Sequence, residues 1–167
     1  KIPHIEGNSN LYLAEMANPW TLKGEPVMLS KPEFDWECRG FKVNEGPAVL
    51  MHGDKLFISY SASATDENYC MGLLWIDRQA DPLQPANWHK APQPVFRTSY
   101  ENRQYGPGHN SFTQTPEGED VLVYHARNYT EIEGDPLYDP NRHTRLKLVS
   151  WREDGMPDFG IPPADTL

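Results

Sequence analysis

The sequence predicts an all-β domain that forms part of a β-propeller. Short runs rich in Val, Ile, Leu, Tyr, Phe and Trp recur along the chain and are bounded by Gly, Pro and Asp turns. No window sustains apolar residues at the spacing of an amphipathic helix. A Gly-Pro entry, followed by a strand, a turn and two more strands, occurs twice, at NEGP (44–47) and YGPGHN (105–110). Such a repeat is typical of a propeller, and a β-sandwich is the main alternative.

Each predicted strand is a short run of β-branched, aromatic and aliphatic residues between turn signals. In chain order the strands are NLYLAEM (10–16), PAVLMH (47–52), KLFISYSA (55–62), NYCMGLLWI (68–76), PVFRT (94–98), NSFTQT (110–115), EDVLVYHAR (119–127) and HTRLKLVSW (143–151).

Two tight turns and one long linker organise these strands. Gly53 and Asp54 form the turn between the second and third strands, and residues 116–118 form the turn between the sixth and seventh. Each hairpin continues, after a longer loop, to a further strand. The linker 81–96 contains four prolines, which exclude a helix interior and a central strand. We expect it to cross the surface between two blades and to end in an edge strand.

Composition restricts the partners of the chain. Its 167 residues suffice for one domain with a sizeable core. The net charge of −9 repels phosphate backbones and argues against nucleic acid. No apolar run approaches the roughly 18 residues of a membrane span, and no leader is visible, so secretion, a periplasmic location and a cytoplasmic one all stay open. Cys38 and Cys70 favour two free thiols over a disulfide framework.

Glu45 is the strongest candidate for chemistry. It precedes Gly46-Pro47 and a run that is apolar at nearly every position, as expected of an innermost blade strand buried on both faces. A carboxylate at that entry would lie at one end of the central channel, and Asn44 beside it can hydrogen-bond locally. The alternative is an exposed turn residue.

His109 occupies the corresponding entry, GPGHN, of the next repeat. One histidine cannot form a zinc site, which needs three or four protein ligands. It could instead share the water-rich shell of a calcium or sodium ion in the channel, and the alternative is a hydrogen-bonded structural residue. No nucleophile motif or phosphate-binding glycine loop is present, so no organic cofactor is expected.

Three further side chains are candidates for sugar contact. Arg142 and Arg145 flank the entry to the last strand, and alternation places them on opposite faces, so at most one faces the axis. An arginine there would bind sugar hydroxyls or favour an ionised Glu45, and a solvated edge charge is the alternative. Trp36 precedes Glu45, and its ring could hold a sugar. The other tryptophans are interpreted as packing residues.

The motifs together resemble the second half of a glycoside hydrolase family 43 enzyme, and the similarity is greatest to the α-L-arabinofuranosidase branch. The resemblance covers nearly the whole chain and follows the order of the motifs. These are YLAEMANPWTLKGEPVMLSKPEFDWE, VNEGPAVL, KLFISYSAS, DPLQPANWHKAPQPVF, YGPGHNSFT, VYHAR and RHTRLKLVSWREDGMPDFG.

The resemblance implies a five-bladed propeller of four-stranded antiparallel blades with its site in a central funnel. Residues 1–167 would form one incomplete domain, with the end of blade two and blades three to five. The implied reaction releases terminal α-L-arabinofuranose from arabinan or arabinoxylan with inversion. Glu45 would be the general acid, and His109 would lie on the axis and bind a metal ion, usually calcium, through water. The expected sugar contacts are Asn44, Trp36, Arg142 and Arg145.

The family's general base and its pKa-tuning Asp have no match in the sequence. Both precede the motif that NLYLAEM matches, and no Asp precedes Asp35. Two interpretations follow. The chain is part of a hydrolase of plant cell-wall polysaccharide whose other half is separate, or it is a non-catalytic, self-associating partial propeller with at most weak sugar binding. Both predict a homo-oligomer or a partner half, because an incomplete propeller exposes apolar blade faces.

Overall fold

The computed structural model describes residues 8–165, and this part of the chain is all-β, as the sequence predicts. It contains no α-helix between those residues, only three 3-10 turns at Asp35–Glu37, Pro85–Asn87 and Pro136–Tyr138. None of its helical segments is long and apolar enough to cross a membrane. The strands are β1 (Leu11–Leu13), β2 (Met16–Asn18), β3 (Thr21–Leu22), β4 (Val27–Ser30), β5 (Asn44–His52), β6 (Lys55–Ala62), β7 (Cys70–Asp77), β8 (His89–Lys90), β9 (Tyr105–Gln114), β10 (Asp120–Arg127), β11 (His143–Leu148), β12 (Ser150–Trp151) and β13 (Pro157–Asp158).

Two antiparallel sheets dominate the fold, and each follows chain order. The first sheet is four-stranded, β5-β6-β7-β8, and the second is three-stranded, β9-β10-β11. Short pairs form from β1 with β4, β2 with β3 and β12 with β13. Both predicted hairpins are present, and the tight turn at Gly53 adopts φ +56°, which glycine accepts without strain. A four-stranded blade is therefore present once among the described residues, and the number of blades stays a prediction.

The linker between the two sheets differs from its prediction. The fourth strand of the first sheet is β8, which pairs with Leu74 and Trp75. The predicted strand 94–98 contributes only an isolated bridge from Phe96 to Met71. Pro94 begins this stretch and Pro92 precedes it, and both lack the N–H group that a continued ladder would need. The predicted strand 10–16 is likewise divided between β1 and β2.

The first sheet is buried on both faces because alternate side chains of β6 and β7 enter two different cores. The core between the two sheets contains Phe57, Met71, Leu73, Phe96, Leu122, Tyr124 and Phe159. The core on the outer face contains Leu11, Trp36, Ile58, Tyr60, Cys70 and Leu74. Cys38 and Cys70 are free thiols, as the sequence favours.

Two edge strands, β5 of the first sheet and β11 of the second, carry exposed apolar side chains. Val49 and Met51 on β5 are 56% and 55% exposed, whereas Leu50 between them is buried. The expectation that this strand is buried on both faces is therefore wrong for the described part of the chain. On β11, Leu146 and Leu148 are exposed in the same way. Each of the two main sheets thus has an apolar edge face.

Candidate active site

The entries of β5 and β9 lie side by side, which brings the two principal sequence candidates together. Glu45 Oε1 lies 4.0 Å from His109 Nδ1. The backbone N–H of His109 donates to Ser61 Oγ at 2.7 Å, and Ser59 Oγ donates to Asn110 Oδ1 at 3.0 Å. These bonds fasten β6 of the first sheet to β9 of the second. First strands that converge at one point are expected of propeller blades rather than of a sandwich.

The backbone at these two entries is specialised. A bulge interrupts the pairing of β5 with β6 between Glu45 and Ala48, where Pro47 has no N–H to donate. Gly46 adopts φ +56°, and His109 adopts φ +44°, a backbone conformation that residues other than glycine rarely adopt. A Cβ atom at Gly46 would lie 3.2 Å from the imidazole of His109. The absence of a side chain at Gly46 therefore makes room for the histidine of the next sheet.

Tyr69 links these two side chains, and sequence reasoning missed it. Its phenol donates to Glu45 Oε1 at 2.6 Å and lies 3.3 Å from His109 Nδ1. The side chain is fully buried. Burial raises the pKa of Tyr69 well above its usual value, and the hydrogen bond to Glu45 raises it further, so the phenol keeps its proton. In the sequence Tyr69 looks like one more aromatic residue of a strand.

His125 packs on the other face of Tyr69, with ring centroids 5.5 Å apart and planes 8° apart. Both of its ring nitrogens are buried, and no described residue hydrogen-bonds to either. Burial, together with the positive charge of Arg142, lowers the pKa of His125 to about 4. The imidazole is therefore neutral at neutral pH.

Glu45, His109 and His125 line an open cleft of about 650 Å³. Glu45 and His109 lie at one side, with side chains that are 38% and 58% exposed. The other side is the cleft loop, residues 128–142, which contributes Tyr138 and Arg142. Arg142 donates to the backbone oxygen of Leu137 at 3.0 Å. Its guanidinium therefore belongs to the cleft, as one of the two arginine predictions expects.

The cleft loop is anchored by Arg127, whose side chain is only 1% exposed. Its guanidinium donates to the backbone oxygens of Thr65 and Pro136 at 2.5 and 2.6 Å and to Asp139 at 3.1 Å. Asp139 also accepts from the Tyr129 hydroxyl at 2.8 Å. Its burial by itself would raise the pKa of Asp139, but these bonds and the Asn141 N–H outweigh it and lower the pKa. Asp139 is thus ionised, and its hydrogen bonds help to hold the cleft loop in place.

The comparisons with known proteins agree with this geometry. The model of Glycosyl hydrolases family 43 matches residues 1–157. The chain belongs to glycosyl hydrolase family 43. It is 58% identical over 164 residues to an extracellular exo-α-(1→5)-L-arabinofuranosidase of Streptomyces avermitilis, covering 98% of this chain and 34% of that protein. It is 53% identical over 159 residues to α-L-arabinofuranosidase 43 of Humicola insolens, covering 95% and 33%.

A solved α-L-arabinofuranosidase has the same fold. The α-L-arabinofuranosidase from Lactobacillus brevis superposes with a TM-score of 0.94 at 58% identity, covering all of this chain and 52% of that one. The family assignment and the partial-propeller fold predicted from the sequence are therefore confirmed. The chain spans about one third of the length of the curated relatives and about half of this structure.

The remaining predicted sugar contacts of this family 43 chain lie outside the Glu45 cleft. Asn44 is buried on the opposite side of β5, where it donates to Glu37 at 2.9 Å. The Trp36 indole donates to the backbone oxygen of Pro92 at 3.1 Å and lines a second cleft of about 450 Å³. Arg145 forms a salt bridge with Asp165 and does not line the Glu45 cleft, whereas Arg142 does.

Glu37 is a second carboxylate that sequence reasoning missed, and its role is structural. It is fully buried and accepts hydrogen bonds from Asn44, Tyr60 and Lys90 at 2.9, 2.8 and 2.9 Å. Burial alone would raise the pKa of Glu37, but these bonds and those from the Glu33 and Phe34 N–H groups outweigh it and lower the pKa. The group joins the segment before β5 to the first sheet.

The donors around His109 fit a resident metal ion poorly. Within residues 8–165, no three His, Cys, Asp or Glu side chains come close enough to hold one. Calcium takes six to eight oxygen ligands, and a single imidazole would leave nearly the whole shell to water. A hydrated calcium or sodium ion at His109 stays a prediction, and no chemical step is assigned to it.

Proposed function

We propose that the chain supplies the general-acid half of the active site of an inverting α-L-arabinofuranosidase. The observation that carries the proposal is Glu45, a partly exposed carboxylate held at the cleft in a chain 58% identical to an exo-α-(1→5)-L-arabinofuranosidase. The substrate class is then terminal arabinofuranose on arabinan or arabinoxylan. Since that relative is described as extracellular, we propose that this protein is secreted as well.

In this proposal Glu45 protonates the glycosidic oxygen as the bond to C1 breaks. The proton passes from the carboxyl group to the leaving oxygen, and the bonding electrons stay with that oxygen. Positive charge then develops on the arabinofuranosyl ring, and water attacks from the opposite face. Arg142 and the Nε2 atom of His109 are available to bind hydroxyl groups of the sugar in the cleft.

An inverting reaction also needs a carboxylate base roughly 6.5–9.5 Å from the acid. The described carboxylates that line the cleft are Glu45 and Asp139. Asp139 is engaged by Arg127, Tyr129 and Asn141, and its pKa is lowered, so it is a poor base. We therefore propose that the base and the pKa-tuning Asp come from outside residues 8–165.

Glu45→Gln tests the role of the acid. The natural gene product is assayed, with any sequence that flanks residues 1–167 retained. We expect kcat on α-1,5-arabinobiose to fall by about 10²–10⁴, since general acid catalysis contributes that factor. Glu117→Gln, in the exposed turn between β9 and β10, is the control and should keep the wild-type rate. Wild-type turnover by Glu45→Gln would exclude the proposed acid.

A second function is favoured by the apolar edge faces. Val49 and Met51 on β5, and Leu146 and Leu148 on β11, would be covered if copies of the chain associated. The protein would then be a self-associating, non-catalytic module with at most weak sugar binding. Sedimentation of the 167-residue chain, alongside the activity assay, separates the two functions. A stable homo-oligomer with no turnover of any arabinofuranoside would favour the module.

A further inference from the structure

We propose that Tyr69 is a positioning residue for the general acid: it holds Glu45 Oε1, so that Oε2 is the oxygen that carries the proton to the substrate. The inference rests on the proposed role of Glu45 and assigns a function to a side chain that touches the acid rather than the sugar. The hydrogen bond from Tyr69 to Glu45 is short, the Tyr69 ring is buried and packed on two sides, and the phenol has a single proton to donate.

The hydrogen bond is of the strong, charge-assisted kind. The Tyr69 hydroxyl lies 2.6 Å from Glu45 Oε1, within the range of O–H···O⁻ bonds. The phenol is the donor when Glu45 is ionised. When Glu45 is protonated, Oε1 can keep this bond only if the proton sits on Oε2. The contact with Tyr69 therefore distinguishes the two oxygens of the acid.

The ring of Tyr69 is packed on two sides, so it can hold the partly exposed side chain of Glu45 in one position. A Cβ atom at position 108 would lie 2.5 Å from the ring, so Gly108 provides the space that the ring fills. His125 stacks on Tyr69 with an interplanar angle of 8°. Glu45, in contrast, is 38% exposed and would sample several rotamers without this bond.

The same phenol also sets the tautomer of His109. Its single hydrogen is donated to Glu45, so toward His109 Nδ1, 3.3 Å away, the phenol oxygen acts as acceptor. His109 must then carry a hydrogen on Nδ1, and the neutral ring keeps its lone pair on Nε2. Tyr69 thus orients both of the sequence-predicted site residues at once.

Tyr60 provides a matched control within the same sheet. It is also fully buried, and its phenol donates to a carboxylate, that of Glu37, at 2.8 Å. A Cβ atom at Gly72 would lie 2.2 Å from its ring. Glu37 is fully buried and does not line the Glu45 cleft. Loss of the Tyr60 hydroxyl therefore imitates the structural cost of losing that of Tyr69 without touching the acid.

The test compares Tyr69→Phe, Tyr60→Phe and Glu45→Gln in the natural gene product. Substrates are dinitrophenyl and nitrophenyl α-L-arabinofuranosides and α-1,5-arabinobiose, whose leaving groups need increasing help from an acid. For Tyr69→Phe we expect a loss of about 10- to 100-fold in kcat on arabinobiose, since a misplaced catalytic group costs that much. On the dinitrophenyl substrate the expected loss is under about threefold, because that leaving group departs without protonation.

Each outcome decides the inference. If Tyr69→Phe slows all substrates equally, or behaves as Tyr60→Phe does, Tyr69 is only structural and the proposal is overturned. If Glu45→Gln itself shows no dependence on the leaving group, the proposed acid and its positioning residue both fail. Should Tyr69→Phe unfold, 4-aminophenylalanine at position 69 keeps the ring and a donor. Recovery of arabinobiose turnover with it supports the proposal, and a folded variant without recovery overturns it.

Discussion

Acidification is expected to destabilise the fold through His125. The pKa of His125 is about 4 in the folded chain, against 6.5 for an exposed histidine. A group whose pKa is lowered by folding binds its proton more readily in the unfolded chain. The stability that the neutral ring contributes is therefore complete above about pH 6.5 and is lost as the pH falls toward 4. At 1.36 kcal/mol per pKa unit, the loss is about 3 kcal/mol.

His125→Phe isolates this contribution from that of the carboxylates. A phenyl ring can stack on Tyr69 in the same way, and it has no buried nitrogen without a partner. Urea unfolding is measured from pH 7.5 to 4 for the wild type, for this variant and for His89→Phe. His89 also stacks, on Trp75, but is exposed, so its variant controls for the change of ring.

We expect His125→Phe to lose about 3 kcal/mol less stability than the wild type over this pH range. The proton resonances of His125 should shift with a midpoint near pH 4. A midpoint above pH 6, or equal pH dependence in the wild type and His125→Phe, would refute the argument.

Two further substitutions, Gly108→Ala and Arg127→Met, test the packing around the cleft, and Gly72→Ala is the control for the first. Gly108→Ala should lower the stability by about 1–3 kcal/mol, since the added Cβ atom would lie 2.5 Å from the ring of Tyr69. Gly72→Ala should lower it by a similar amount, through contact with Tyr60, but should leave arabinofuranoside turnover unchanged. Equal losses of turnover in Gly108→Ala and Gly72→Ala would contradict this. Arg127→Met should cost about 2 kcal/mol or more and speed hydrogen exchange throughout the cleft loop; unchanged exchange would mean that the loop is held by other contacts.

Much of the fold follows from local sequence. The hairpin strands β5–β6 and β9–β10 are strongly patterned and joined by turns whose residues suit them, so their existence and pairing could be predicted. The prediction of a strand at 94–98 was wrong because it gave more weight to apolar character than to the missing N–H groups of Pro92 and Pro94. β8, with only His89 and Lys90, is too short to leave any pattern.

The site could be predicted only where a backbone feature accompanies the side chain. Glu45 and His109 stand beside Gly-Pro signals, and those signals mark the strand entries that the fold brings together. Tyr69 and His125 have no such mark. Their roles depend on which face of a strand points toward another sheet, and that is decided by packing between residues 24 or more positions apart. Trp36 was predicted to contact sugar because it is near Glu45 in the sequence, but its indole lines the second cleft and not the Glu45 cleft.

Each of the two buried tyrosines forms, with a glycine and a carboxylate, a unit that could be used in the design of acids in β-proteins. Tyr60 and Tyr69 lie in the same arrangement, with the ring against a glycine and the phenol on a carboxylate. What differs is the second oxygen of each carboxylate: Glu37 Oε2 accepts from Lys90 and from the backbone N–H groups of Glu33 and Phe34, whereas Glu45 faces the cleft. A designer who transplants the glycine, the phenol and the acid as one unit can therefore choose between a permanent ion and a proton donor by changing only what covers the second oxygen.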